Sequence, residues 1–142
     1  MVPKAKTRTS AAFGKGMEFY IIGLMLKEGL ECYLPLVDNN GVDVLVKKEG
    51  GTFMEVQIKA RASGQFTNLS HKKARENYYF VFYSEKSEKI WILSSAEFIE
   101  KSGKLENGKH KDSRFIDFSS KKTRERLADY EDTTFERLKN NP

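Results

Sequence analysis

The fold is decided by residues 41–60, which read GVDVLVKKEGGTFMEVQIKA. A run of apolar and β-branched residues at 42–47 is followed by turn-forming residues at 49–51 and by a second run at 52–60. Two such runs joined by a short glycine-containing turn predict a β-hairpin. Residues at the open end of this hairpin are therefore expected to lie side by side.

Polar side chains lie on one face of the returning strand. Because successive side chains of a strand point to opposite faces, Glu55, Gln57 and Lys59 share one face, and the apolar residues between them share the other. Asp43 stands near the start of the opposing strand. Opposed side chains of a hairpin have Cβ atoms about 5 Å apart. An acid, an amide and an ammonium group are thus predicted to reach one small volume.

The segment before the hairpin has the spacing of an amphipathic helix. Apolar residues recur three and four positions apart over residues 16–30, and Gly29 is placed to end the helix. Glu18 lies one residue off the apolar stripe, so we expect its carboxylate at the rim of the contact between helix and core. From that rim, Glu18 can add a second acid to the hairpin residues.

The elements around the hairpin predict the fold class. A short strand is expected at residues 32–37, and a short, basic, partly helical link is expected before Tyr78–Tyr83, a buried strand that pairs with Lys89–Leu93. The order of helix, three strands, helical link and two strands indicates an α/β fold with a mixed central sheet flanked by helices. We expect a single domain over residues 13–142, after a basic flexible arm over residues 1–12.

The composition is that of a globular domain with a moderate excess of positive charge. Its 142 residues suffice for one core, and the formal net charge of +5 favours a polyanionic partner. The one cysteine, Cys32, cannot form an internal disulfide, and no apolar stretch approaches the length of a membrane span. We therefore expect a cytoplasmic protein with no membrane partner. His71 and His110 lie far apart in sequence, which disfavours a zinc site, and Cys32 is interpreted as a core residue.

The polar face of the hairpin has the chemistry of a magnesium site. Mg²⁺ prefers carboxylate, carbonyl and water oxygens, and it takes one or two protein carboxylates. Asp43 with the amide oxygen of Gln57, joined by Glu18 or Glu55, fits that preference. Lys59 is the candidate cation, because a lysine can offset the negative charge that develops when a phosphodiester is attacked.

These residues, in this order, resemble the PD-(D/E)xK nuclease superfamily. Glu18 lies on a helix, Gly41-Val42-Asp43 enters the hairpin, and Gln57-Ile58-Lys59 leaves it. The chain is more narrowly similar to small members in which Gln replaces the second acid, and to archaeal Holliday junction resolvases. The resemblance covers roughly residues 14–94.

The resemblance implies a restriction-endonuclease-like core in αβββαβ order. It implies a DNA endonuclease that depends on Mg²⁺ or Mn²⁺, with Asp43, Gln57, Lys59 and Glu18 as the catalytic residues. It also implies that DNA is the partner. A homodimer is expected as well, because nucleases that cut two strands are commonly dimers.

Basic residues near the predicted site are candidates for contacts with DNA phosphates. They are Lys15, Arg61, Lys72, Lys73 and Arg75. Phe66, which lies between them in sequence, is a candidate for stacking on bases.

Gln57 leaves two functions open. A neutral amide in place of Asp or Glu removes one negative charge from the metal site, for which Glu55 is a candidate to compensate. With compensation, the chain is expected to hydrolyse DNA. Without it, the chain is a degenerate nuclease-fold module that binds nucleic acid and does not cut it. A protein-interaction domain with neither property is a third and weaker alternative.

Overall fold

A computed structural model describes residues 9–37, 40–109 and 111–139. The strands, in chain order, are β1 (Glu31–Tyr33), β2 (Val44–Lys47), β3 (Phe53–Arg61), β4 (Gln65–Ser70), β5 (Tyr78–Ser84), β6 (Lys89–Ser94), β7 (Gly103–Lys104) and β8 (Ser113–Asp117). The helices are α1 (Ser10–Lys27), α2 (Ser95–Lys101), α3 (Lys121–Arg126) and α4 (Glu136–Lys139), with a 3₁₀ turn at Ala128–Tyr130.

A mixed sheet forms the centre of the fold. Its five strands lie in the order β1-β2-β3-β5-β6, and β4, β8 and β7 form a second, three-stranded sheet. Strands β3 and β5 pair in parallel, whereas β2 pairs antiparallel with both β1 and β3, and β6 pairs antiparallel with β5. The predicted α/β fold with a mixed central sheet is confirmed.

The hairpin predicted at residues 41–60 is formed by β2 and β3. Val44 opposes Val56, and Leu45 opposes Glu55. Val44 and Val56 are fully buried, whereas Glu55 is only partly buried. The alternation in the sequence therefore sets which face of the hairpin packs on the core.

Two hydrophobic cores lie on the two faces of the central sheet. The first lies between the sheet and α1, with α4 at its edge, and includes Ile21, Ile22, Met25, Val44, Val56 and Leu138. The second lies between the sheet, β4, β8 and α2, and includes Phe66, Leu69, Phe80, Phe82, Phe98 and Ile116. Gln57 and Lys59 are in register with Phe80 and Phe82. Because neighbours in register point to the same side of a sheet, the polar face of β3 lies at the border of the second core.

Helix α1 starts earlier than the sequence pattern predicts. It begins at Ser10, because the side chain of Thr9 accepts a hydrogen bond from the N–H of Ala12 at 3.1 Å and so caps the helix. Residues 10–12, predicted as part of a flexible arm, are therefore helical, and residues 1–8 lie outside the described chain. The predicted end is confirmed, since α1 stops at Lys27 and Gly29 has a φ of 89°.

The link between β3 and β5 differs from its prediction. In place of a partly helical segment, the described chain forms strand β4, which pairs with β8. Phe66 and Leu69 of β4 are buried in the second core, so Phe66 is not available to stack on bases. Strand β1 is also shorter than predicted, because Pro35 has no N–H for continued pairing. Within the described residues, no helix has the length and apolar character needed to cross a membrane.

Candidate active site

The backbone of β3 holds the carboxylate of Asp43. The N–H of Ile58 donates a hydrogen bond to Asp43 Oδ2 at 2.7 Å. The N–H of Asp43 itself donates to the carbonyl of Val56 at 2.9 Å. These two bonds fix Asp43 against the segment that carries Gln57 and Lys59, so the hairpin brings the three predicted residues together.

Gln57 is enclosed by two residues that the sequence does not mark as part of a site. The hydroxyl of Tyr78 lies 2.7 Å from the carbonyl oxygen of Gly41 and 3.0 Å from Oε1 of Gln57. Gly41 has a φ of +70°, and a Cβ built there would lie 2.9 Å from the Gln57 amide nitrogen. A side chain at position 41 would therefore displace Gln57, so glycine is required both for its backbone conformation and for this contact.

Lys59 follows Gln57 on the same face of β3. Its side chain is partly buried, and it lines an open cleft together with Gly14, which lies near the start of α1. The beginning of α1 therefore passes close to the end of β3 that carries Lys59.

Glu18 lies on the side of α1 that faces the protein. Its side chain is 19% exposed, and its Oε2 lies 3.1 Å from Nζ of Lys15. Ile21 and Ile22 on the next turn are buried in the first core. Gly14, one turn earlier on the same side of the helix, lines the cleft with Lys59. Glu18 is thus within one helical turn of that cleft, and its role as a fourth site residue stays a prediction.

Glu55 has a cationic neighbour in the structure. Its carboxylate oxygens lie 3.4 and 3.5 Å from a guanidinium nitrogen of Arg75. The same guanidinium donates to the carbonyl of Asn40 at 2.8 Å and lies 4.0 Å from the centre of the Tyr78 ring. Arg75 therefore joins the loop before β2 to the start of β3, an arrangement that favours a structural role for both charged residues.

The other basic residues predicted to contact DNA lie in different surroundings. Arg61 is exposed and lines the same cleft as Lys59. Lys15 is exposed and pairs with Glu18. Lys72 lies 3.9 Å from Asp112, and Lys73 is exposed. Of this set, Arg61 is the one whose position next to Lys59 favours a contact with the same ligand.

The donor atoms at Asp43 and Gln57 suit a hard divalent cation. A carboxylate and an amide oxygen are the oxygen ligands that Mg²⁺ prefers, and a carbonyl oxygen has two lone pairs, so Gln57 Oε1 can accept from Tyr78 and still face a cation. Across the described chain, no three His, Cys, Asp or Glu side chains converge as a metal cage. The residues therefore fit a site with few protein carboxylates, completed by water and phosphate, and not a closed structural metal site.

Histidine and cysteine have structural surroundings, as the sequence predicts. The ring of His71 is buried and forms a hydrogen bond through Nε2 with Oγ of Ser95. Burial, and then the nearby cations of Arg75 and Arg114, lower the pKa of His71. Cys32 packs at the edge of the first core, and burial raises the pKa of its thiol. His110 lies outside the described residues.

Sequence reasoning missed Tyr78 and Gly41 as the residues that enclose Gln57. The run of aromatic residues at 78–83 is typical of a core strand, and nothing in that run marks the hydroxyl of its first tyrosine. Gly41 had a weaker signal, because it ends a turn-forming run directly before Asp43. The position of Tyr78 follows from the register of β3 with β5, which the sequence does not contain.

The sheet order and the hairpin define a restriction-endonuclease-like fold. Among solved structures, the chain is similar to the bacterial homing endonuclease I-Ssp6803I, with a TM-score of 0.57 and 18% identity over 87% of this chain and 89% of that one. The Holliday junction resolvase Hjc of the archaeal hyperthermophile Archaeoglobus fulgidus also aligns, with a TM-score of 0.47 and 11% identity over 71% and 88% of the two chains. No protein-family model matches the sequence, and a search of curated proteins found no match.

Proposed function

We propose that this protein is a metal-dependent DNA endonuclease whose site consists of Asp43, Gln57 and Lys59, with Glu18 as a fourth member. The observation that carries the proposal is the 2.7 Å hydrogen bond from the N–H of Ile58 to Asp43 Oδ2. This bond holds the Asp43 carboxylate at the backbone of Ile58, the residue between Gln57 and Lys59. The fold shared with a bacterial homing endonuclease supports the same function.

In the proposed reaction each residue has one task. Asp43 and the amide oxygen of Gln57 would hold Mg²⁺ or Mn²⁺, leaving the other positions to water and to the DNA phosphate. The bound cation would polarise the phosphoryl group and make the attacking water more acidic. Lys59 would stabilise the negative charge that develops on the phosphoryl oxygens. Tyr78 and Gly41 keep the Gln57 amide in one position for this purpose.

The proposal is tested with supercoiled, linear and branched DNA in the presence of Mg²⁺ or Mn²⁺. We expect the wild-type protein to cleave at least one of these substrates. Lys59→Ala should lower the single-turnover rate on the order of 10²- to 10³-fold, because it removes a cation beside the developing charge. Asp43→Asn should also abolish most cleavage, although its amide oxygen can still accept the hydrogen bond from Ile58.

A matched control is available on the same hairpin. Lys47 is exposed at the far end of β2, opposite Phe53, and Lys47→Ala removes the same charge without touching the proposed site. Its rate should stay close to that of the wild type. Cleavage that persists in Lys59→Ala at the level of Lys47→Ala would contradict the proposed role of Lys59.

A second function, binding of nucleic acid without cleavage, is favoured by one observation. Gln57 supplies no negative charge, and the carboxylate of Glu55, two residues away, faces Arg75. For this function we expect salt-sensitive DNA binding, no cleavage with any divalent metal, and little change of affinity in Asp43→Asn. Cleavage by the wild type that is lost in Asp43→Asn excludes it.

DNA as the partner and a homodimer are part of the same proposal. The modest basic excess and Arg61 beside Lys59 support a polyanionic partner. A dimer would place two sites on the two strands of a duplex. Sedimentation velocity of the free protein and of its DNA complex measures the number of copies.

A further inference from the structure

An open cleft of about 470 Å³ lies beside Lys59. The end of β3, the strand β4 and the start of α1 form its walls. The charged side chains that line it are those of Lys59, Arg61 and Lys109, and they are all cationic. Among the described residues, no carboxylate lines this cleft. Three cations without an anionic neighbour in the lining produce a positive potential that attracts an anion.

A bulge in β4 shapes the cleft. The register of β4 with β8 shifts between Phe66 and Leu69, and both of these residues are buried in the second core. The two residues between them, Thr67 and Asn68, are exposed in the cleft, and Asn68 has a φ of 55°. The bulge therefore turns a hydroxyl and an amide toward the space beside Lys59.

Asn68 also positions Lys109, which is 41 residues away in sequence. Oδ1 of Asn68 accepts a hydrogen bond from the backbone N–H of Lys109 at 2.8 Å. This bond holds the loop before β8 at the cleft. The side chain of Lys109 therefore lines the cleft as a result of this contact between distant parts of the chain.

We infer that this cleft binds a phosphate of the nucleic-acid backbone next to the phosphate that lies at Lys59. Arginine, lysine, asparagine and threonine side chains are the groups that contact backbone phosphates in protein–DNA complexes. The cleft shares Lys59 with the proposed site, so a strand whose scissile phosphate lies at Asp43 and Lys59 continues into it. The inference deepens the proposed function and rests on it for the identity of the polyanion. It makes Arg61, Lys109 and Asn68 binding residues.

A second basic cleft also contains acidic residues, and the contrast supports the cleft beside Lys59 as the phosphate-binding one. Lys72, Lys104, Lys111 and Arg114 line another cleft, of about 210 Å³, but Glu106 and Asp112 line it as well. Lys72 lies 3.9 Å from Asp112. The positive charge there is partly neutralised by the protein, whereas in the cleft beside Lys59 the lining contains no acid.

The test is DNA binding measured by fluorescence anisotropy with a short labelled duplex, in EDTA so that nothing is cleaved. Affinity is measured between about 50 and 200 mM KCl, because each phosphate contact contributes about 0.9 to the slope of log affinity against log salt. The double variant Arg61→Ala/Lys109→Ala should reduce that slope by about 1, because the cleft binds one phosphate, and weaken binding at the lowest salt by about tenfold or more. The control Lys121→Ala/Lys122→Ala removes the same charge from exposed positions on α3, outside the cleft.

A single variant tests the site without removing a basic residue. Asn68→Asp keeps a carbonyl-type oxygen for the N–H of Lys109 and adds a carboxylate to the cleft. It should weaken binding several-fold, most strongly at low salt. Unchanged binding in Asn68→Asp, or a slope in the double variant equal to that of the α3 control, overturns the inference.

Failure of this inference differs from failure of the endonuclease. If the wild type cleaves DNA and the cleft variants bind like the α3 control, the proposed endonuclease activity is supported and the proposed phosphate binding in the cleft is refuted. If the wild type binds but does not cleave, and the cleft variants lose binding, the cleft stands and the endonuclease is refuted. If the wild type binds no nucleic acid, both are refuted.

Discussion

Two basic regions lie on either side of β4, and they use their positive charge differently. After β4, two of the cations in segment 71–75 have partners in the protein: Arg75 donates to the carbonyl of Asn40 at 2.8 Å and lies over the Tyr78 ring, and Lys72 lies near Asp112. Before β4, Arg61 and Lys59 line a cleft whose described lining contains no carboxylate. In the sequence alone, nothing in the charge of the two basic regions separates them by function.

The difference indicates that closeness in sequence to β3 does not by itself leave a basic residue available to bind a phosphate. Arg61 is the last residue of β3 and Arg75 follows β4, but the guanidinium of Arg75 is bound to the loop before β2 and to Glu55. A cation that is held by protein acceptors contributes to the fold, whereas one with no acid beside it can attract a ligand. Measurements of stability and of DNA binding in variants test this separation of the two regions.

The largest effect on stability is expected at Tyr78, because it contacts both Arg75 and Gln57 of the proposed site. Its ring lies beneath Arg75, and its hydroxyl lies between Gly41 and Gln57. Tyr78→Phe takes the hydroxyl donor away from two partly buried acceptors, so we expect the free energy of unfolding to fall by about 1–2 kcal/mol in urea denaturation. Tyr20→Phe makes the same chemical change on the exposed side of α1 and serves as the control. A loss below about 0.5 kcal/mol, the usual range for surface changes, would mean that the hydroxyl is not structural.

Arg75 should affect stability and leave phosphate binding unchanged. Arg75→Ala removes the hydrogen bond to Asn40 and the contact with Tyr78, and we expect a loss of about 1 kcal/mol, because the pair with Glu55 is partly exposed. Arg75→Lys keeps the charge but not the planar guanidinium, so it should lose nearly as much. The salt dependence of DNA binding should be that of the wild type in both variants. If the slope of log affinity against log salt fell by about one in Arg75→Ala, Arg75 would instead contact a phosphate.

His71 should make the free energy of unfolding depend on pH, and we expect this effect to be smaller than those at Tyr78 and Arg75. Burial lowers its pKa in the folded protein below the usual value of about 6.5 that it has in the unfolded chain. Between those two pKa values the unfolded chain binds more protons than the folded one, so stability falls as the pH drops below about 6.5 and is constant, as far as His71 is concerned, above it. His71→Gln should lack this part of the pH dependence. Parallel curves for the two proteins between pH 7 and the lower pKa would contradict the assignment.

The hairpin could be predicted because its signals are local. Alternation along β3 fixes which residues share a face, and the short turn at residues 49–51 fixes what opposes them, so the position of Asp43 beside β3 follows from strand geometry. Strand β4 could not be predicted in this way. Its bulge buries Phe66 and Leu69, which are three residues apart, and that spacing is typical of a helix.

The roles of Arg75 and Lys109 depend on contacts between distant parts of the chain. Arg75 finds its acceptors 35 residues away at Asn40 and 20 residues away at Glu55. Lys109 reaches the cleft because Asn68 holds its backbone. Contacts between residues this far apart leave no pattern in the sequence. The entropy cost of closing a loop changes slowly with its length, so it does not favour one distant partner over another.

One measurement tests the central claim most directly: the single-turnover rate of DNA cleavage in Mn²⁺ for wild type, Lys59→Ala and Arg75→Ala, at a temperature where all three are folded. We expect Lys59→Ala to be slower on the order of 10²- to 10³-fold, because the role proposed for Lys59 is to stabilise the developing charge, and Arg75→Ala to stay within a few-fold of the wild type. Equal rates for Lys59→Ala and wild type, or a loss in Arg75→Ala as large as that expected at Lys59, would contradict the account.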